Sequence, residues 1–318
     1  MIEQEAALVR KRFLDETDYM EVQTSGSTGQ PRFIKISKDH MQASARMTLD
    51  FLRLNKGDKT LLCMSPKHIG GIMMIIRAVE GGLNLSVTEP SARPIETLKD
   101  DFDLVAMVPY QVAASLDELP RIKKLIIGGG PINPGLEEKL NKLPNEIYHT
   151  YGMTETISHI AMRKVNSPDK EVFHTLPGIA VSQDHRGCLV VEAPRLGVHK
   201  LITNDQIELC GKGKFIWLGR YDNIVNSAGI KLHPEGIEKK MGSMGYHYFL
   251  AGLPDPRFGE SLIMVVESKE KLTHNHFESA FKKLGKYEIP KRIITISEFV
   301  MTESGKLNRR ETLKLIDQ

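Results

Sequence analysis

Four stretches of the chain carry side chains suited to phosphate, a divalent cation or a sugar. "TSGSTG" supplies Thr24, Ser25, Gly26, Ser27, Thr28 and Gly29, a set of hydroxyls and unhindered backbone N–H groups able to wrap phosphate oxygens. It does not satisfy GxxxxGK[ST], and a Ser/Thr/Gly cluster alone is also what an ordinary turn looks like. "YGMTET" brings the Tyr151 ring, which can stack on a purine, and the Glu155 carboxylate, a hard oxygen ligand for magnesium; "GGGP" lies upstream of it. "ITND" ends at Asp205, whose carboxylate can accept both hydroxyls of a ribose, and Arg220 can add a charged donor to the same sugar or to a phosphate. "TESGKLNRR" puts Lys306 on a Gly-adjacent loop where a cation can reach a reacting phosphate. Singly, each has a plainer reading as a flexible turn, a surface acid or a solvated lysine.

Those residues fall at the ends of regular elements. Strand-length apolar runs "TLLCM", "LNLSV", "FDLVAMV", "KKLIIGG" and "EIYHTY" alternate with the helical patterns "ISKDHMQASARMTLDFL" and "NPGLEEKLNKL". Such alternation predicts an α/β domain with a mostly parallel sheet. From Val181 the texture turns to short strands and Gly-rich turns, "RGCLVVEAP", "HKLITND" and "QIELCGKGKFIWLG", a β-rich part completing the first domain. Beyond Arg220 a helix "HPEGIEKKMGSM", strands "YFLAGLP" and "SLIMVVES", and a helix "HNHFESAFKKLG" predict a small α+β domain. The expected division is residues 1–220 and 221–318.

Composition narrows the class. The 43 basic and 40 acidic residues are spread along the chain without a basic stripe, which argues against a nucleic-acid partner. Cys63, Cys188 and Cys210 lie far apart with no CxxC spacing, so neither a zinc site nor a disulfide framework is expected. The N-terminus is charged and helix-like, and the longest apolar run, "IGGIMMIIRAV", is interrupted by Arg77 and too short for a membrane span. A cytoplasmic protein is the expectation.

Taken in order, the motifs resemble the adenylate-forming superfamily of acyl- and aryl-CoA ligases, luciferases and peptide-synthetase adenylation domains. "TSGSTGQPR" is similar to its phosphate loop, "GGGP" and "YGMTE" to its nucleotide motifs, and "TND" to its "TGD". "GRYD" is similar to its hinge, "SAGIKLHPEGIE" to its post-hinge motif and "SGKLNR" to its lysine loop. The resemblance implies ATP, Mg2+ and CoA as partners in a two-step reaction through an acyl-adenylate. It implies that Thr24, Ser25, Gly26, Ser27, Thr28 and Gly29 hold the β/γ-phosphates, that Gly129, Gly130, Tyr151 and Gly152 flank the adenine, and that Thr154 meets the α-phosphate. Glu155 would bind magnesium, Asp205 and Arg220 the ribose, and Lys306 would bridge carboxylate and phosphate. Asp222 falls at the hinge, and Ser227, Ala228 and Gly229 would line a pantetheine tunnel. Arg32, Asn204 and Asn223 depart from the usual Lys, Gly and Asp, and "FVMT" lacks the Pro usual before the lysine loop. The family's N-terminal subdomain is expected to be largely missing, with exposed apolar surface, a homodimer or a shrunken acyl pocket as the alternative consequences.

"SPKHIGGIMMIIRAVEGG" resembles the segment that shapes the family's acyl site and puts His68 and Gly70 beside substrate. With "YGMTETISHIAMR" the chain is similar to compact o-succinylbenzoate-CoA ligases, whose substrate keeps an aromatic carboxylate and calls for polar or basic pocket residues: His68, His159 and Arg77 are the candidates, although Arg77 reads more simply as a helix-surface charge. Two other readings stand beside this one. An adenylation domain would load a carrier protein with an acyl or aryl acid, and a catalytically silent homologue would bind nucleotide without turnover.

Overall fold

The computed structural model describes residues 1–23, 33–301 and 307–316; the expected phosphate loop (residues 24–29) and Lys306 lie outside the described residues. Helix α1 (Ile2–Leu14) leads into the antiparallel hairpin β1 (Tyr19–Gln23) and β2 (Phe33–Ser37), followed by α2 (Lys38–Leu52). Then come β3 (Lys59–Leu62), α3 (Ile69–Gly81), β4 (Asn84–Val87), β5 (Phe102–Met107), α4 (Pro109–Ala114), β6 (Ile122–Ile127), α5 (Pro134–Leu140) and β7 (Glu146–Gly152). Six further strands complete the sheet: β8 (His159–Lys164), β9 (Val172–Thr175), β10 (Ala180–Gln183), β11 (Cys188–Ala193), β12 (Val198–Gly211) and β13 (Lys214–Arg220).

The α/β expectation holds, with a difference in how the parts join. Strands β4, β3, β5, β6 and β7 are parallel neighbours, and β8, β9, β13, β12, β11 and β10 continue the same sheet antiparallel, giving one mixed sheet of 11 strands. The β-rich segment is therefore an edgewise extension of the parallel strands. "HKLITND" and "QIELCG" form the single 14-residue strand β12, bent by register shifts against β13. The helix expected from Ile36 begins at Lys38, because Ile36 and Ser37 pair with Met20 and Tyr19 in the hairpin.

The parallel strands read as continuous apolar runs because both of their faces are covered. Leu62, Leu104, Ala106 and Ile126 pack on one side with α2 and α3, while Leu61, Val105, Met107, Leu125 and Ile127 pack on the other with α5. Helix α2 presents Met41, Ala45, Thr48 and Leu52 as one buried face. Helix α3 is buried continuously from Gly71 to Ala78. A Cβ on Gly71 would stand 2.3 Å from the Ser65 carbonyl, so only glycine lets α3 start against the loop leaving β3.

After the 3-10 turn Tyr221–Asn223 the second sheet begins: β14 (Val225–Ser227) and β15 (Ile230–Leu232), α6 (Pro234–Met241), β16 (Tyr248–Asp255), β17 (Gly259–Glu267), α7 (Glu278–Phe281), β18 (Arg292–Ile296) and α8 (Arg309–Lys314). Its order is β15-β14-β17-β16, with β18 parallel to β17. The expected "HNHFESAFKKLG" helix is a 3-10 turn followed by the short α7. Among the described residues no helix is long and apolar enough to cross a membrane.

Candidate active site at the carboxyl ends of the parallel strands

In an open α/β sheet, ligands bind outside the carboxyl ends of parallel strands. Those ends carry the expected residues here. The segment after β3 leads to His68 and Gly70 at the start of α3, the segment after β6 is the Gly128, Gly129, Gly130 turn, and β7 runs out through Tyr151 and Gly152 to Thr154 and Glu155. The β1–β2 hairpin is tied in by a bridge from Gln23 to the exposed His68.

The glycine turn needs its glycines at two points. Gly129 has φ +84, and a Cβ on Gly128 would lie 2.8 Å from Thr150 Oγ1. The Gly130 carbonyl accepts from His149 Nε2 at 3.0 Å. Burial, followed by the neighbouring Arg163 charge, lowers the His149 pKa to about 4, so the ring is neutral.

Tyr151 and Asp205, 54 residues apart in sequence, meet directly: the Tyr151 hydroxyl donates to Asp205 Oδ2 at 2.7 Å. Trp217 Nε1 donates to Asp205 Oδ1 at 3.2 Å. Burial and the Asp205 charge raise the Tyr151 pKa, which keeps its hydroxyl a donor. The Tyr151 ring stands edge-on to Phe173 and Phe215, at 6.0 and 5.5 Å between centroids. The structure thus gives Tyr151 the task of orienting Asp205, beside the purine stacking expected from its motif. Arg220 is the register partner of Asp205 across β12 and β13, and its guanidinium donates to Asp222 Oδ2 at 2.8 Å. Asn204, which stands where glycine is usual, donates to the same Asp222 oxygen at 3.3 Å.

Between β7 and β8 the chain turns tightly. A Cβ on Gly152 would meet the Ser158 carbonyl at 2.3 Å, so no other residue fits. Ile157 has φ 68 and ψ −51, and the Ser158 N–H donates to the Thr156 carbonyl at 2.7 Å across it. This is a γ-turn of the rarer, strained hand, centred on a buried β-branched residue. Strain of this kind persists where the surroundings over-determine it, and here it fixes the path of the Thr154–Thr156 3-10 turn. Glu155 is exposed, with no hydrogen-bond or ion-pair partner among the described residues. No group of three or more metal-ligating side chains occurs among the described residues. A lone free carboxylate suits magnesium, which keeps several waters and binds through one or two carboxylates plus substrate phosphates.

The acyl side departs most from expectation. Arg77 is a buried residue, 2% exposed, and not a helix-surface charge. Its guanidinium donates to Ser158 Oγ at 2.7 Å, its Nε has no partner, and no carboxylate pairs with it among the described residues. Burial alone lowers its pKa from 12.5 to about 10. His159, expected to face substrate, is also buried. Thr48 gives its hydroxyl proton to the Ser44 carbonyl at 3.1 Å, so His159 Nε2 is the donor in its 2.9 Å contact with Thr48, and His159 Nδ1 faces Ser158 Oγ at 3.5 Å. Burial and the Arg77 charge keep the His159 ring neutral. His159 therefore backs Ser158, which in turn holds Arg77. No sequence pattern singles out Ser158, but Arg77 carries a signal: a helix apolar on all sides leaves a single arginine no solvated face.

In the second sheet Ser227 pairs with Ile230 around a two-residue turn, Ala228 (φ 51) and Gly229 (φ 82), the geometry of a type I′ hairpin. No hydrogen bond or ion pair among the described residues links this turn to the strand-end crevice. Met301 and Leu307 form an isolated antiparallel bridge.

Residues 16–190, more than half of the chain, match the AMP-binding enzyme family. An acyl-CoA synthetase (AMP-forming)/AMP-acid ligase II-like protein from Dyadobacter fermentans is 33% identical over 99% of this chain and 94% of its own, with a TM-score of 0.68. A 2-succinylbenzoate–CoA ligase of Bacillus mycoides is 26% identical over 98% of this chain and 73% of its own length. The O-succinylbenzoate coenzyme A synthetase of Bacillus subtilis, solved with ATP and magnesium ion, shares the fold at a TM-score of 0.80 and 20% identity, over 92% of this chain and 69% of its own. The motifs at the strand ends and these likenesses agree: the chain belongs to the AMP-binding enzyme family of adenylate-forming ligases.

Proposed function

We propose that the protein is a 2-succinylbenzoate–CoA ligase, acting through an acyl-adenylate. The observation that carries the substrate is Arg77. A buried guanidinium without a counter-charge is costly, and in this fold it lies on the helix that starts at His68 and Gly70. A substrate with a second carboxylate would complete it, and 2-succinylbenzoate keeps an aromatic carboxylate after its aliphatic one has reacted. The name borne by the Bacillus relatives supports the same acid.

On this reading the aliphatic carboxylate oxygen attacks the α-phosphorus of ATP, the bond from that phosphorus to the bridging oxygen breaks, and pyrophosphate leaves. The CoA thiolate then attacks the acyl carbonyl and AMP departs. The chemistry is positioning and charge neutralisation. Thr24, Ser25, Ser27, Thr28 and Gly29 would hold the β/γ-phosphates, Thr154 the α-phosphate, Asp205 and Arg220 the ribose, with Gly129, Gly130 and Tyr151 around the adenine. Glu155 would hold Mg2+, which neutralises phosphate charge when bound. Lys306 would bridge the carboxylate and the α-phosphate. Residues 1–220 and 221–318 would act as two domains turning about Asp222, with Ser227, Ala228 and Gly229 meeting the pantetheine arm in the second step.

The test is a substrate comparison with ATP, Mg2+ and CoA, read as AMP and thioester. 2-Succinylbenzoate is expected to exceed 4-oxo-4-phenylbutanoate, which lacks only the ring carboxylate, by roughly 10–150-fold in kcat/KM, the worth of one charge-assisted hydrogen bond. Equal use of the two acids would remove the assignment.

A further inference from the structure

The glycine turn after β6 is held by a relay that no motif includes. Glu137 on α5 accepts two hydrogen bonds from Arg163 on β8, at 2.9 and 3.0 Å, a bidentate pair buried at both ends. Burial raises the Glu137 pKa, but the Arg163 bonds and charge outweigh it and the net direction is down, so the Glu137 carboxylate is ionised. Arg163 also donates to the Lys170 carbonyl, and its Nε donates to His149 Nδ1 at 3.2 Å. A guanidinium has no acceptor, so His149 Nδ1 must offer its lone pair and the ring proton must sit on Nε2. That proton faces the Gly130 carbonyl at 3.0 Å. The His149 ring is packed against Phe173 at 5.8 Å, which fixes its plane.

We infer that His149 is a positioning residue for nucleotide binding: Arg163, clamped by Glu137, sets its tautomer, and its Nε2–H fixes the Gly128–Gly130 turn that receives the nucleotide. The inference rests on the nucleotide reading of that turn under Proposed function. The three side chains come from α5, β7 and β8, so the turn's orientation is built into the packing of the sheet and not left to the loop. The Gly128 N–H donates to the Met107 carbonyl at 3.1 Å and ties the start of the turn to β5. The Nε2–H bond restrains the other end of the turn, at the Gly130 carbonyl.

Two measurements test this without a carboxylate substrate. In 15N-histidine-labelled protein at pH 7, long-range 1H–15N correlation is expected to show His149 as the Nε2–H tautomer; the Nδ1–H tautomer would overturn the inference and needs no variant. In calorimetric ATP binding, His149→Leu is expected to weaken affinity about 10-fold, one hydrogen bond's worth, while His149→Gln, whose amide N–H can reach Gly130, returns it to within about 3-fold of the wild type. A Leu variant that binds ATP like the wild type, or a Gln variant no better than Leu, contradicts the relay. Failure of the wild type itself to bind ATP overturns the nucleotide reading, and this inference with it.

Discussion

Replacing Arg77 with methionine should make the protein more stable and less able. The guanidinium is buried, and burial alone lowers its pKa from 12.5 to about 10. Folding disfavours the charged form, so at neutral pH the charge is a cost of about 3 kcal/mol. Methionine removes that cost, leaves Ser158 without its donor from Arg77, and fills most of the space, for a net gain of about 1–2 kcal/mol. In a chain of this size that raises the Tm by about 2–8 °C. The same substitution removes the charge proposed to meet the second carboxylate, so kcat/KM for 2-succinylbenzoate falls roughly 10–150-fold. The rate with 4-oxo-4-phenylbutanoate should stay within about 3-fold, since that acid offers Arg77 nothing to bind. Thermal melts of the free variant and initial rates on the two acids give both readouts. A lowered Tm, or an equal loss on both acids, would refute the view that Arg77 is kept at a stability cost for substrate.

Other consequences follow from the proposed mechanism and from the geometry of the described residues. Lys306→Ala should slow adenylation by at least about 100-fold while leaving thioester formation from supplied acyl-adenylate within about 3-fold, measured in separate half-reactions. Glu155→Gln should raise the Mg2+ concentration for half-maximal rate about 10-fold, read from a magnesium titration. Stability should be full above pH 6.5 and fall as the pH drops toward 4: unfolded His149 and His159 take up protons near 6.5, whereas burial keeps both neutral in the fold. Each imidazole contributes up to about 1.4 kcal/mol per pH unit in that window, and denaturant melts across it check the slope. Ala228→Gly should stabilise the β14–β15 hairpin by about 0.5–1 kcal/mol, because an alanine at φ 51 carries strain that glycine lacks.

The parallel strands were readable because burial on both faces makes them continuous apolar runs, and the strand-end motifs were readable because glycine and hydroxyl clusters mark the loops that follow. Strand β2 was hidden because "FIKIS" runs without a break into a helical pattern, and only pairing with β1 separates them. The single strand β12 reads as two because its bend near Gln206 looks like a turn in sequence. Asp205, Arg220 and Tyr151 were each named, but their contact depends on strand order, with β9 and β13 lying between β8 and β12. In sequence Arg77 reads as solvated, because one charge in a helix usually is; in the fold it is buried. The Glu137–Arg163–His149 relay carries no local pattern, since its three residues meet only when α5, β7 and β8 pack.

Adenylation can be isolated from everything that follows it by exchange of labelled pyrophosphate into ATP in the absence of CoA. Exchange should require 2-succinylbenzoate and Mg2+, and should drop at least about 10-fold when the ring carboxylate is removed from the acid. Exchange with neither acid, or the same exchange with both, would contradict an adenylating site built around a second carboxylate.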